Sequence, residues 1–331
     1  MQALIEPWRL WSQSVPAFSG HIDVGQRTNC NPQLLGTVRD SSCVMERART
    51  AVFEAYSRLC DRPWMRGRIT MGETLLWALG YPATIKLRVG SVELLLDPRD
   101  KASRFVLFRA HERQEIEFLR RLLRPGDCAI DVGAHVGYLA AVIADCVGER
   151  GHVIAVEPHP DNFGRLAAAA SGAGSMFEAL HAAVTDHETE ARGRTPLFLD
   201  SRNSMWSTTE PSLAAGESIL VEAISLDTLV ERYGLPEPAL IKIDVEGAED
   251  RVLAGYQESI ARGHRPVFLV EVKSHEPQDR LAVRSLIPSD YALYRLQNGG
   301  RLSLLPPDED SAIVGTENIV AISSATDDSR R

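Results

Sequence analysis

Cys128-Ala-Ile-Asp131-Val132-Gly133-Ala134-His135-Val136-Gly137-Tyr138, followed one helix later by His152-Val-Ile-Ala-Val156-Glu157-Pro158, is the stretch on which the reading of this chain turns. Its first five residues form a short, apolar, β-rich run, as a strand covered on both faces must. The run ends in a glycine turn. Gly133 permits the tight turn, and its missing side chain lets a ligand touch the backbone. A helix over 137–147 follows, and then a second strand over 152–156 that closes on Glu157. In an open α/β sheet the ligand lies beyond the carboxyl ends of such strands.

The glycine spacing is Gly-x-x-x-Gly, not the Gly-x-Gly-x-x-Gly of dinucleotide binders. The middle glycine that approaches a pyrophosphate is absent, and Asp131 stands where a pyrophosphate would be repelled. A cofactor carrying an ammonium and a sulfonium meets no such objection, so S-adenosylmethionine suits the motif better than NAD. Glu157, at the end of the next strand, is placed to accept both hydroxyls of a ribose. A plain β–turn–α joint and an exposed strand-end acid are the alternatives for each motif alone. Together, at this spacing, the two are much stronger.

Working outward, further strands are expected at 178–183, 240–244 and 267–271, with helices at 161–170 and 248–256. Such alternation implies a parallel sheet with helices on both faces. Two more strands, 291–296 and 318–322, would close its edge and bring the count to seven. The polar stretch 192–218 is long for a connection in a compact domain, as lids and binding loops are. Upstream, 83–97 alternates apolar and charged residues around Gly90-Ser91, a hairpin pattern. An amphipathic helix over 111–123 points Ile116, Leu119, Leu122 and Leu123 inward and stops at Pro125-Gly126. Residues 1–82 read as a mainly helical N-terminal extension. One helix spans 42–59, with Val44, Ala48, Val52, Ala55 and Leu59 on one face, and another spans 72–79. The rings of Trp8, Trp11, Phe18, Phe53, Tyr56, Trp64 and Trp77 need burial, so this extension is expected to cover the acceptor side of the pocket or form an oligomer contact. Residues 83–325 make up the main domain, and 326–331 a disordered tail.

Composition bounds the rest. At about 150 residues per domain, 331 residues suggest roughly two domains. Apolar residues are 44% and charged residues 24%, which excludes a disordered chain, a collagen and a coiled-coil rod. With 45 acidic against 36 basic residues, the net charge is −9, which disfavours nucleic-acid binding. Cys30, Cys43, Cys60, Cys128 and Cys146 are odd in number and show no CxxC. Neither a disulfide framework nor a zinc ribbon is implied, and a reducing, cytoplasmic setting is expected. No signal peptide or membrane-spanning run is seen.

Asp244 and Glu271 end two strands of similar length. If those strands are neighbours, ~4.8 Å apart, both carboxylates face the site. Like charges that close raise one pKa or recruit a cation. Lys242, two residues before Asp244, points to the same face, and a buried lysine needs a partner; a structural ion pair with one of these acids is the alternative to a catalytic role. His275 follows Glu271 in a loop, where a histidine titrates near neutrality; a solvent-exposed histidine is the alternative. Asp244 is the first choice for the chemistry, with Glu271, His275 and Lys242 as further catalytic candidates.

Leu240-Ile-Lys-Ile-Asp-Val-Glu-Gly-Ala-Glu249 and Val252-Leu-Ala-Gly255, read with Asp131-Val-Gly-Ala-His-Val-Gly-Tyr138, Val156-Glu-Pro-His-Pro160, His111-Glu112 and Thr316-Glu-Asn318, resemble the hallmarks of the FkbM-type methyltransferase family. The resemblance runs from about Ala83 to Ile322. It implies an α/β, Rossmann-like class I methyltransferase fold and S-adenosylmethionine as cofactor. It also implies O-methylation of a sugar, glycan or natural-product hydroxyl. Cofactor contacts are then expected at Asp131, Gly133, Ala134, His135, Gly137, Tyr138, Glu157, Pro158 and Ala183. His135 departs from the family, which more often has Asn there. The competing readings are an NAD-dependent oxidoreductase and a silent binding module on the same fold. The expected partner is a small-molecule or glycan acceptor, with no nucleic acid and no membrane, in a chain able to form a homo-oligomer.

Overall fold

The computed structural model describes residues 38–60, 67–109, 112–200, 207–213, 216–274, 277–306 and 315–326. Contacts divide the chain into residues 1–44 and residues 45–331. In chain order the helices are α1 (Val38–Cys60), α2 (Arg68–Leu79), α3 (Lys101–Leu107), α4 (Arg113–Leu122), α5 (Tyr138–Val147), α6 (Pro160–Ala173), α7 (His187–Glu190), α8 (Leu226–Arg232), α9 (Glu249–Ala254), α10 (Gln257–Ala261) and α11 (Pro277–Leu286). The strands are β1 (Ile85–Val89), β2 (Val92–Leu96), β3 (Cys128–Val132), β4 (His152–Val156), β5 (Phe177–Leu180), β6 (Ala183–Val184), β7 (Arg194–Phe198), β8 (Ser218–Ile224), β9 (Leu240–Ile243), β10 (Val267–Ser274), β11 (Tyr291–Gln297), β12 (Arg301–Leu304) and β13 (Gly315–Ser323).

The central sheet has the order β12-β11-β13-β10-β9-β3-β4-β5. From β10 to β5 neighbouring strands are parallel; β13, β11 and β12 pair antiparallel. This is the expected Rossmann-like arrangement. Six of the seven expected strands are present as single strands, β5 covers the first part of the seventh, and β12 adds an eighth at the edge. The strand order reverses at β3, which lies between β4 and β9, the kind of place where ligands bind in such sheets.

Alternation along the strands gives the sheet two faces. One face sends Ala129, Val153, Leu240 and Leu269 against α4, α5, α6 and the β1–β2 hairpin. The other sends Ile130, Ile154, Ile241 and Val270 against α8, α9 and α11. α5 starts after Gly137, whose φ of 88° favours glycine, and it is apolar nearly all round because all but Asp145 and Cys146 of it is buried. α6 begins with His159 as its cap, Pro160 in the first turn and Asp161 after it, a normal helix start.

Three expectations are corrected. The stretch 178–183 is not one strand: β5 stays in the central sheet, whereas β6 joins a second sheet of order β6-β8-β7. The chain turns between them at His181, whose ring bonds the Pro158 carbonyl at 3.0 Å and stacks on Phe163. The stretch 192–218 is not all loop, because β7 pairs antiparallel with β8; Pro196 and the polar context hide that strand. The inward face of α1 is Phe53, Tyr56, Ser57 and Cys60, and Val44, Val52 and Leu59 are exposed. The aromatic rings win the interior because they fill the space around Phe108 and Leu76, with Tyr56 edge-on to Phe108 at 5.8 Å. Of the rings expected to need burial, Trp77 is 83% exposed; Trp8, Trp11, Phe18 and Trp64 lie outside the described residues. No described helix is long and apolar enough to cross a membrane.

Candidate active site

A cavity of about 400 Å³ opens at the carboxyl ends of β3, β4, β9 and β10, within the size range of small-molecule pockets. Its floor is the glycine turn. Gly133 has φ 77°, and a Cβ there would overlap the carbonyl oxygen of Asp244, so backbone meets backbone. The N–H groups of Gly133 and Ala134 both donate to the Val156 carbonyl, at 2.9 and 3.0 Å. His135 takes a left-handed φ of 53°, which His and Asn tolerate better than most residues. That accounts for the kind of residue found at this position. Burial pulls the His135 imidazole down to about 4, so it is neutral at physiological pH.

Glu157 follows β4 and is buried. Its Oε2 accepts the His135 N–H at 2.8 Å, and its Oε1 accepts the His159 N–H at 2.9 Å. The glycine turn therefore fixes the carboxylate it faces. Burial raises Glu157 to about 7 despite these bonds. Beside it, Pro158, Ala182, Ala183, Val184 and Leu197 give the cavity an apolar wall, while Ser207, Thr208 and Thr209 come from the polar excursion. The Thr208 hydroxyl donates to the Glu246 carbonyl and ties that segment down.

On the other side the cavity is acidic. Lys242 stands in register with Asp131 on β3 and Leu269 on β10. Its Nζ lies 3.2 Å from Asp131 Oδ1 and 3.3 Å from Asp244 Oδ2. Burial alone would discharge it, but the carboxylates of Asp131, Asp244 and Glu112 hold its pKa well above the ordinary value. Asp131 is fully buried beneath the cavity, and burial raises its pKa against the pull of Lys242. Glu271, opposite Asn318 on β13, and Glu112, just before α4, complete the acidic wall. Glu112 has a left-handed φ of 62°, and its Oε2 is buried with no hydrogen-bond partner. Desolvation raises it to about 8, with Lys242 opposing and Asp244, Glu115 and Asp131 reinforcing. Behind it, Glu115 accepts from the Asn318 amide. Among the described residues no group of three or more His, Cys, Asp or Glu side chains is placed to hold a metal ion. The cation among these acids is Lys242.

Gly133, Ala134, His135, Tyr138, Glu157, Pro158, Ala183, Lys242, Asp244 and Glu271 therefore all line one cavity. Asp131 lies under it, paired with Lys242, and Gly137 is turned toward Leu166. Glu271 does not end its strand, since β10 continues to Ser274. His275 lies outside the described residues. Sequence reasoning assigned no task to Glu112 or Asn162, which line the cavity together with Glu246 and with Ser207–Thr209 of the stretch read as a lid or binding loop. For Glu112 the one signal was its place in the quoted His111-Glu112 pair.

Residues 131–296 match the model of the Methyltransferase FkbM domain. The chain is 26% identical over 216 residues to the hexuronic acid methyltransferase AglP of Haloferax volcanii, covering 61% of this chain and 84% of that one. Similar solved structures include the Bacillus cereus O-methyltransferase with S-adenosylhomocysteine (14% identity, 84% and 99% of the two chains, TM-score 0.36). Another is Aeropyrum pernix fibrillarin with S-adenosylmethionine (14%, 63% and 73%, 0.34). With half of the chain, including the glycine turn and the Lys242–Asp244 strand, matched by one family model, the chain belongs to the FkbM methyltransferase family and uses S-adenosylmethionine.

Proposed function

We propose that the chain methylates a hydroxyl oxygen of a sugar, glycan or natural-product small molecule. The observation that carries this reading is the division of the cavity. One side offers a glycine turn, a strand-end carboxylate and an apolar wall; the other offers Glu112, Asp244 and Glu271 around Lys242. The first side suits a nucleoside with a charged tail. The second suits a neutral polyol, because carboxylates accept hydrogen bonds from several hydroxyls at once. The name of the archaeal relative, a hexuronic acid methyltransferase, supports a sugar acceptor.

In this reading Glu157 receives the ribose hydroxyls, and Gly133 and Ala134 let the cofactor approach the backbone. Tyr138, His135, Pro158 and Ala183 close the pocket around it, while Asp131 acts from below through Lys242. S-adenosylmethionine supplies a methyl group made electrophilic by its sulfonium. The protein must hold the acceptor oxygen in line with that methyl and take its proton. Asp244, oriented by Lys242, receives the proton. Glu112 and Glu271 fix neighbouring hydroxyls. Extracts incubated with the protein and methyl-labelled S-adenosylmethionine, resolved by mass spectrometry, are expected to show label as a methyl ether on a hydroxylated metabolite or glycan. Label found only on nitrogen or carbon would overturn the reading.

A further inference from the structure

A second cavity, of about 430 Å³, lies between the turn of the β1–β2 hairpin, the outer face of α4 and the start of α5. Among the described residues Arg68, Arg88, Arg109, Arg113 and Arg120 line it, with Glu117 as the one carboxylate of that lining. In a chain of net charge −9 this is an unusual concentration of positive charge. Three acids lie near it: Glu117 in the lining, Glu93 across the hairpin, and Asp145, whose carboxylate packs against Gly90. Glu117 engages Arg113 at 3.3 Å, and Glu93, across the hairpin from Arg88, is held by Lys86 at 2.6 Å. Among the described residues Arg68, Arg88 and Arg120 form no ion pair. Arg113 and Arg120 are two turns apart on α4, so they project from the same side of the helix. Arg109 enters from the far end, with a left-handed φ of 52°; its Nη1 donates to the Tyr138 hydroxyl at 2.8 Å, and its guanidinium lies 5.4 Å from the centre of that ring. Tyr138 lines both cavities.

We infer that this cavity is a binding site for a phosphate-class polyanion. Several guanidinium forks converging on one space match the bidentate geometry of phosphate oxygens. Among the described residues, five arginines against Glu117 and the nearby Asp145 leave this lining net positive. The shared Tyr138 wall places the anion next to the methyl-transfer cavity. The phosphate comes either from the acceptor itself, as in a phosphorylated sugar, or from a separate ligand. Only the first source rests on the function proposed above.

The test is titration of inorganic pyrophosphate into the full-length protein saturated with S-adenosylhomocysteine, which keeps the first cavity filled. Wild type is expected to bind, more weakly as salt rises. Arg88→Gln/Arg120→Gln is expected to bind about tenfold or more weaker, since charge-assisted bonds are lost, while its S-adenosylhomocysteine affinity is unchanged. If the double variant no longer binds S-adenosylhomocysteine, Arg120→Gln alone replaces it, because that side chain is exposed on α4. No binding of pyrophosphate to wild type at millimolar concentration and low salt, or equal binding by wild type and variant, would overturn the site. A second arm locates the phosphate. Labelling of extracts that disappears after phosphatase treatment places it on the acceptor; labelling that persists while pyrophosphate still binds places it on a separate ligand. Absence of any labelling counts against the proposed function and leaves the pyrophosphate result standing.

Discussion

The two faces of the central sheet are built from the same strands and do different things. Toward α8, α9 and α11, residues Ile130, Val132, Ile154, Val156, Ile241, Ile243 and Val270 form an unbroken apolar layer. Each such side chain contributes about 1.5–3 kcal/mol by leaving water. Toward α4 and α5, the positions between them alternate Ala129, Leu240 and Leu269 with Asp131, Lys242 and Glu271. That second face is apolar only at the amino ends of its strands. At their carboxyl ends it carries a set of acids whose largest compensation is one ammonium. One face holds the sheet, and the carboxyl half of the other, the proposed ligand side, carries its charges at a cost in stability.

Lys242→Met would break this contrast most severely. It leaves Asp131 and its neighbours buried without their cation, an expected loss of about 3–5 kcal/mol, read as a lower denaturation midpoint; adding Asp131→Asn should restore part of it. A midpoint equal to wild type would remove the distinction between the faces. Asp244→Asn should follow, with methyl transfer reduced ~10²-fold or more and S-adenosylhomocysteine affinity kept within about tenfold. Full turnover on the true acceptor would reduce Asp244 to a structural partner of Lys242. Glu157→Ala is expected to weaken S-adenosylhomocysteine binding by about 1–3 kcal/mol in calorimetry, and an unchanged affinity in a folded variant would end its assignment to the ribose.

A gentler probe is pH. Glu112 and Glu157 are raised from 4.5 to about 8 and about 7 by burial. Between those values the folded protein holds protons that the unfolded chain has released. Stability should therefore be greatest below about pH 4.5 as far as these two groups are concerned, and their contribution is lost as pH rises to about 8. Glu112→Gln should flatten the upper part of that decline in denaturation midpoints measured across the range; an unchanged slope would show that Glu112 does not carry it. The smallest effect belongs to the apolar face, where Ile241→Val should cost about 0.5–1.5 kcal/mol and leave turnover intact.

Legibility in the sequence followed the same division. The strands 128–132, 152–156 and 240–243 are short apolar runs, and their order along the chain announces the sheet. Glu157 was readable because it lies one helix beyond the glycine turn. The bend at His181 was not, since the run through Ala183 stays apolar on both sides of it. α1 carries two apolar stripes, and periodicity cannot choose between Val44–Val52–Leu59 and Phe53–Tyr56–Cys60; only the rings across from it decide. Lys242 was expected to pair with Asp244 or Glu271; it pairs with Asp244, and its other partner, Asp131, is a cross-strand neighbour from a distant part of the chain. Glu112 was seen but given no task, because nothing in its local spacing ties it to Lys242. Contacts made by register or by a turn before the core leave no periodic trace.

The meeting of Gly133 with Asp244 has a mechanical consequence. The Asp244 N–H bonds the Val132 carbonyl at 3.0 Å, and the Asp244 carbonyl occupies the space a side chain at 133 would need. The two loops are thus a single hinge plate rather than two independent flaps. A ligand that settles the glycine turn also settles the backbone of Asp244, and by thermodynamic reciprocity an acceptor gripped at Asp244 steadies the turn in return. Cofactor and acceptor should therefore favour each other's retention, and slow amide exchange at residue 244 with S-adenosylhomocysteine bound would be the direct sign of that coupling.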